Sequence, residues 1–219
     1  MASVKIKDRD IEFNVGKIVC VGRNYAEHAQ ELGHKLPEKP LIFLKPASDI
    51  IHSGDQVIHP PYSEDLQHEV ELVLLIGRQI RMASLAEAED AIAGYGVGLD
   101  MTLRDLQFQQ MKNGDPWTLS KCFDTSAVLS DFVLKEDYAL TMEERITLSV
   151  NGKIRQSSVL KNMIFKPARL AEYISSVMTL QPGDLIYTGT PEGVGRVRPG
   201  DIIEAEIEDI AGLHTEVIV

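Results

Sequence analysis

Residues 67–77 read QHEVELVLLIG, and the two glutamates at the head of an otherwise apolar run decide how the chain is read. From Val70 to Ile76 the residues are almost all aliphatic, and Gly77 closes them, which is the pattern of a strand buried on both faces. Side chains at i and i+2 of a strand point to one side, so Glu69 and Glu71 present two carboxylates roughly 7 Å apart at their Cα atoms. One reading makes this a solvent face, with Val70 and Leu72 turned inward. The other starts from the buried continuation: two anions at the end of such a strand repel each other and lose hydration unless a cation sits between them. A divalent metal meets that need. A third oxygen could come from Asp100, in GYGVGLDMTLRDLQ (residues 94–107), at the junction of a glycine-rich strand and a helix. An Asp there is also a good helix N-cap, and the two roles compete for the same oxygens. Carboxylate oxygens without cysteine select Mg²⁺ or Mn²⁺, with Ca²⁺ also compatible and zinc disfavoured.

Working outward, 219 residues with 44% hydrophobic content can bury a sizeable core, and the length suits one domain over 1–219. No run approaches the eighteen apolar residues of a membrane helix, and MASVKIKDRDIEFNVGK carries charges where a signal peptide has an apolar segment. The expectation is a cytoplasmic protein with no membrane partner. A formal charge of -11 argues against nucleic acid and gives no help in attracting anions, so an acidic ligand must be held by local cations. Cys20 and Cys122 are too few and too separate for a disulfide framework or a CxxC zinc site.

Strand patterns dominate: KIVCVG, DQVIHPP, EVELVLLIG, ITLSVNGKIRQSS, DLIYTG and DIIEAEIED, each bounded by turn residues. Asn151-Gly152 is a two-residue hairpin signal. Helical spacing falls in NYAEHAQELG, closed by Gly33, in MTLRDLQFQQMKNG, closed by Asn113 and Gly114, and in KPARLAEYISSVM. The last begins with Pro167 in its first turn and places Leu170, Ile174, Val177 and Met178 on one face. The fold class is α+β, strand-rich, with antiparallel or mixed sheet.

The segments CVGRNYAEHAQELG, PLIFLKPASDII, HEVELVLLIG, GYGVGLDMTLRDLQ, GDPWTLSKCFD and LQPGDLIYTGTPEGVG, in this order, resemble the fumarylacetoacetate hydrolase superfamily. The likeness is to its small branch of acylpyruvases and oxaloacetate-converting enzymes and runs from about Lys17 onward. It implies a mixed β-sandwich roll, a homodimer, and Mg²⁺ or Mn²⁺ held by Glu69, Glu71 and Asp100. A short leader, about 1–16, stands where larger members carry a separate domain.

The resemblance also implies a catalytic His28–Glu31 pair. Spaced i, i+3 on a short helix, Glu31 can orient the imidazole, although such pairs are more often solvated. The segment around 23–40, with HAQELGHKLPEKP, would be a lid. Arg104 and Gln107 follow Asp100 at helical spacing and would face the site; Arg104 also reads as a surface charge. Lys121, in the apolar WTLSKCF, is either a catalytic ammonium or a snorkelling surface lysine. Arg23 and Lys45 are further candidate cations. Thr188 and Thr190, in YTGTPEGVG, either approach an anionic group or sit in a plain turn, and Thr190 carries the family's substrate contact.

A 2-oxo acid offers its carboxylate and keto oxygen as a chelating pair, which directs chemistry to C3. Three reactions share that start: keto–enol tautomerisation, CO₂ loss from oxaloacetate, and water attack on a C4 carbonyl, which cleaves an acylpyruvate. Two carboxylate ends to hold and several cations favour oxaloacetate tautomerisation, with decarboxylation beside it. Acylpyruvate hydrolysis is the alternative. A catalytically silent metal- or ligand-binding protein is a third reading, and it has no use for His28, Glu31 and Lys121 together.

Overall fold

A computed structural model describes residues 2–31 and 36–219. Its centre is a curled mixed sheet of eight strands. Seven run across it in the order Leu41–Pro46, Lys17–Gly22, Leu185–Tyr187, Val70–Ile76, Ile92–Asp100, Ala127–Leu129 and Ile50–His52, and Val133–Leu134 pairs with Ile92–Asp100 as well. Lys17–Gly22 is parallel to Leu185–Tyr187, and Val70–Ile76 is antiparallel to both its neighbours. A second sheet of five strands carries the hairpin Arg145–Val150 and Lys153–Val159, followed by Ile202–Ile207, Ala211–Ile218 and Gln56–Ile58. The α+β class and the mixed roll are both present.

Every residue of Val70–Ile76 is buried, as its composition requires. Leu72, Leu74 and Ile76 enter a core shared with Ile146, Leu148, Ile203 and Ile207 of the second sheet and with Leu170 and Ile174 of a helix. Val73 and Leu75 point the other way, into the curl, among Ile18, Cys20, Phe132, Leu185 and Tyr187. Glycine makes that interior possible. A Cβ on Gly96 would stand 3.0 Å from the Phe132 ring, and one on Gly98 would stand 2.7 Å from Val73 and 2.8 Å from Tyr187. Glu69 and Glu71 share the parity of Val73 and Leu75, so the row that is apolar inside the curl ends in acids.

The hairpin turn is at Asn151-Gly152, both with positive φ (52° and 72°). The helix after Asp100 starts at Arg104, because Thr102–Leu103 first pairs with Leu66–Gln67 as strand, and it ends at Asn113 with Gly114 in the left-handed region. In Pro167–Val177, Leu170 and Ile174 are buried as expected, but Val177 is 56% exposed and Met178 leaves the helix in extended conformation. That helix packs on Leu85–Ala91, which periodicity does not reveal, although Ser84 and Glu87 form a capping box before it. Residues expected as a leader form the hairpin Ser3–Lys5 and Glu12–Asn14, with Val4, Ile6 and Val15 covering one side of the curl. Of the expected lid, Ala26–Glu31 is helical. The closure at Gly33 lies outside the described residues. Among the described residues no helix is long and apolar enough to cross a membrane.

Candidate active site

The chain breaks pairing between Leu66–His68 and Val70–Ile76, and Glu69 occupies that break, its carbonyl accepting the Asp100 N–H at 2.9 Å. Glu71 stands opposite Gly98, where no side chain competes for space. Ligand oxygens of Glu69, Glu71 and Asp100 all lie within 4.8 Å of one another, on residues no more than 4% exposed. The solvent-face reading of the glutamates therefore fails. The cap reading of Asp100 fails too: the helix N-cap is Leu103, without a side-chain cap bond.

Three buried cations surround the acids. Lys121 Nζ, on the short helix Thr118–Lys121, donates to Glu69 Oε2 at 2.7 Å and to Asp100 Oδ2 and Thr102 Oγ1 at 2.6 Å, which uses all three of its protons. It is 2% exposed, so it does not snorkel. Arg104 forks between Glu69, Gln107 Oε1 at 2.5 Å and Gln67 Oε1 at 2.9 Å, and is likewise buried. Lys45 Nζ lies 3.0 Å from Asp100 Oδ1 and donates to Ser126 Oγ at 2.8 Å. Three acids and three cations cancel.

That balance is uneven from residue to residue. Burial pushes the Glu69 carboxyl up, but the Lys121 ammonium and Arg104 guanidinium overcome it and hold Glu69 well below the ordinary glutamate range. Burial and the charges of Asp100 and Glu69 drive Glu71 well above that range, against one backbone donor, Gly189 N–H at 2.6 Å. Burial lowers the Lys121 ammonium, and Asp100 and Glu69 more than restore it, leaving it raised. Asp100 Oδ1 is buried and makes no hydrogen bond among the described residues; Lys45 is near it but misaligned. An orphaned oxygen beside a carboxyl repelled by two others fits a hard divalent cation.

His28, on Ala26–Glu31, is 4% exposed, and its Nδ1 lies 3.3 Å from Glu31 Oε2. Glu31 is anchored in turn by the Gly193 N–H at 3.2 Å. Burial pushes the His28 imidazole below its usual value, with Glu69 and Glu31 partly offsetting it, so the ring is neutral at pH 7. With Glu31 Oε2 as the acceptor, Nδ1 carries the proton and Nε2 is left as the basic nitrogen.

His28, Arg23, Glu69, Glu71, Asp100, Arg104, Gln107, Lys121 and Thr190 line one narrow cleft. Arg23 is half-buried there, at a positive φ of 60°. Two candidates stand off it: Thr188 Oγ1 donates to Leu72 O at 2.9 Å, and Lys45 lies beneath Asp100. Phe43, Met111 and Trp117 add an apolar side that the sequence reading does not contain. Phe43 and Trp117 meet edge to face at 5.6 Å, and Lys121 Nζ is 4.9 Å from the Phe43 ring centre. In sequence they look like ordinary core residues, and only the position of Trp117 four residues before Lys121 hints otherwise.

Clustered acids able to hold a cation, joined by a histidine kept neutral and oriented by a glutamate, are the equipment of an acid–base enzyme. The chain belongs to the fumarylacetoacetate (FAA) hydrolase family, whose C-terminal region matches residues 17–218. It is 46% identical, over 92% of its length and 90% of the relative's, to "Oxaloacetate tautomerase FAHD1, mitochondrial" of Arabidopsis thaliana. Identity to "Oxaloacetate decarboxylase, mitochondrial" of Dictyostelium discoideum is 45%, over 91% of each chain. Among solved structures, fumarylpyruvate hydrolase from Pseudomonas aeruginosa in complex with Mn²⁺ and pyruvate superposes with a TM-score of 0.95 at 36% identity, covering 99% of this chain and 95% of that one.

Proposed function

We propose that this protein is an oxaloacetate keto–enol tautomerase that depends on Mg²⁺ or Mn²⁺. The observation that carries the choice of reaction is the likeness, at 45–46% identity over more than nine-tenths of the chain, to relatives named for oxaloacetate conversion. Glu69, Glu71 and Asp100 would hold the cation, and bound there it would supply a Lewis acid that polarises the keto oxygen and acidifies C3. With a divalent ion added, the balanced site becomes doubly positive, matched to a dicarboxylate dianion. Arg104, Gln107, Arg23 and Thr190 are the groups proposed to hold and orient the substrate. His28 Nε2, kept basic by the Nδ1–Glu31 hydrogen bond, moves the C3 proton, and Lys121 holds the Glu69 and Asp100 carboxylates in place. Phe43, Met111 and Trp117 keep water from that carbon.

Acylpyruvate hydrolysis is the second reading, favoured by the fold likeness to a fumarylpyruvate hydrolase, with the His28–Glu31 pair activating water. An absorbance assay separates them: fast enol-to-keto conversion of oxaloacetate with slow pyruvate release and slow acetylpyruvate cleavage supports tautomerisation, and the reverse ranking moves the protein to acylpyruvase. Loss of Mg²⁺ binding by calorimetry in Glu69→Gln, Glu71→Gln and Asp100→Asn tests the cation site. A cytoplasmic homodimer is the proposed assembly. Leu41–Pro46 is an edge strand with Leu44 and, nearby, Leu119 exposed, which a second copy would cover; sedimentation at a monomer mass would count against it.

A further inference from the structure

Gln156 lies in the hairpin strand Lys153–Val159, whose other residues are mostly exposed, yet it is fully buried. Its amide touches four groups. Oε1 is 3.2 Å from Val70 N and 2.9 Å from His68 Nδ1, and Nε2 is 2.8 Å from both Pro191 O and Thr190 Oγ1. Two of these partners fix which end is which. A backbone N–H can only donate, so the atom facing Val70 is the oxygen; a carbonyl can only accept, so the atom facing Pro191 is the nitrogen. His68 Nδ1 must then carry a proton.

The consequence falls on Thr190. Its oxygen accepts from Gln156 Nε2, so its own proton has to point elsewhere. Among the described residues that hydroxyl donates to nothing, although Thr190 is only 3% exposed and lines the cleft. We infer that Gln156 is a positioning residue that makes Thr190 an obligate hydrogen-bond donor to a ligand oxygen in the cleft. The same amide ties the Thr190 loop to the strand that carries the acids, through Val70, the neighbour of both Glu69 and Glu71. Thr190 Oγ–H and the acids are thereby held at a fixed spacing. The ligand oxygen it serves belongs to a carboxylate or a carbonyl, acceptors that a hydroxyl free to turn towards its own loop would serve less well. This rests on the reading of Thr190 as substrate-binding.

The test compares Gln156→Glu, Gln156→Met, Thr190→Val and the double variant Gln156→Glu/Thr190→Val. Calorimetry reads Mn²⁺ alone and then oxalate binding to the Mn²⁺-loaded protein, and urea unfolding reads stability. A glutamate at 156 presents an oxygen to Thr190, turning its proton out of the cleft, while it still serves Val70 and His68. Thr190→Val and Gln156→Glu should each weaken oxalate roughly tenfold and the double variant no further, and Thr190→Val, which alters no charge, should leave Mn²⁺ affinity unchanged. Gln156→Met leaves Val70, His68 and Pro191 without a partner, so it should be the least stable variant yet weaken oxalate less than Gln156→Glu does. A residue that merely fills space gives Met the worse result in both measurements, which would overturn the inference. If Gln156→Met does not fold, the cycle with Thr190→Val decides alone: full additivity in the double variant overturns the coupling. Wild-type oxalate affinity in Gln156→Glu, with weakening in Thr190→Val, removes Gln156 and spares Thr190. Wild-type affinity in Thr190→Val removes the reading of Thr190 itself, and the inference with it.

Discussion

Glu71 and His28 reach the same cleft from different kinds of support, Glu71 from a seven-residue strand buried from end to end and His28 from a helix of which six residues are described. The strand is paired on both sides, and the acids beside Glu71 are held in place as well, Glu69 by Lys121 and Arg104 and Asp100 by Lys121 with Lys45 close by. The described turns of the helix hold His28 through Glu31, which is itself tied to the Gly193 N–H. Cation-holding groups gain from a frame that keeps oxygens at fixed separation even when they repel. A proton carrier gains from a support that can release and return.

The sharpest way to break that division of labour is His28→Ala. It should lower the tautomerase rate by about 10²–10⁴ while Mg²⁺ affinity by calorimetry stays at the wild-type value. A loss of metal binding would show that the two supports are one unit. Glu31→Gln comes next, with a rate loss of about ten- to a hundredfold. Because burial holds the His28 imidazole below its ordinary value of 6.5, activity should persist as pH falls through 6.5 and drop only below it. Glu31 raises that value, so Glu31→Gln should move the acid limb lower still, read from kcat/KM against pH. A limb that moves up would sink the assignment.

On the strand side, Gly98→Ala has to displace Val73 and the Tyr187 ring and should cost about 1–3 kcal/mol in urea unfolding. A cost near zero would mean that the curl is softer than its packing indicates. The smallest effect concerns Glu71 without metal. Its folded value is raised, so its contribution is fully present below the ordinary glutamate value of 4.5 and is lost as pH rises towards and through the raised one. Glu71→Gln should therefore gain stability over metal-free wild type progressively as pH rises, and saturating Mg²⁺ should erase the gain. A gap that narrows with rising pH would contradict the repulsion.

The strand-borne acids were legible because a strand repeats every two residues and an acid on a buried strand stands out against its neighbours. Asp100 was legible only as an alternative: the letters LDMTLRD allow a cap, and it is the pairing of Thr102–Leu103 with Leu66–Gln67, a long-range event, that delays the helix. Phe43, Met111 and Trp117 could not be told from core residues, since burial against a cleft and burial against a core leave the same letters. Gln156 was invisible for the opposite reason: it alternates with exposed residues in a polar hairpin, and only the fold seats it beneath Thr190.

The glycines of the strand Ile92–Asp100 carry one more implication, and it is hereditary. The volume that a side chain at Gly96 or Gly98 would fill is supplied from elsewhere, by Phe132 for the first and by Tyr187 with Val73 for the second. Neither partner can change size alone, because a larger residue at the glycine collides with a ring and a smaller residue at the ring opens a void beneath the acids. These positions are therefore free to drift only in matched steps, and a descendant that exchanges a glycine for alanine must trim the facing side chain in the same lineage to keep the carboxylates where they stand.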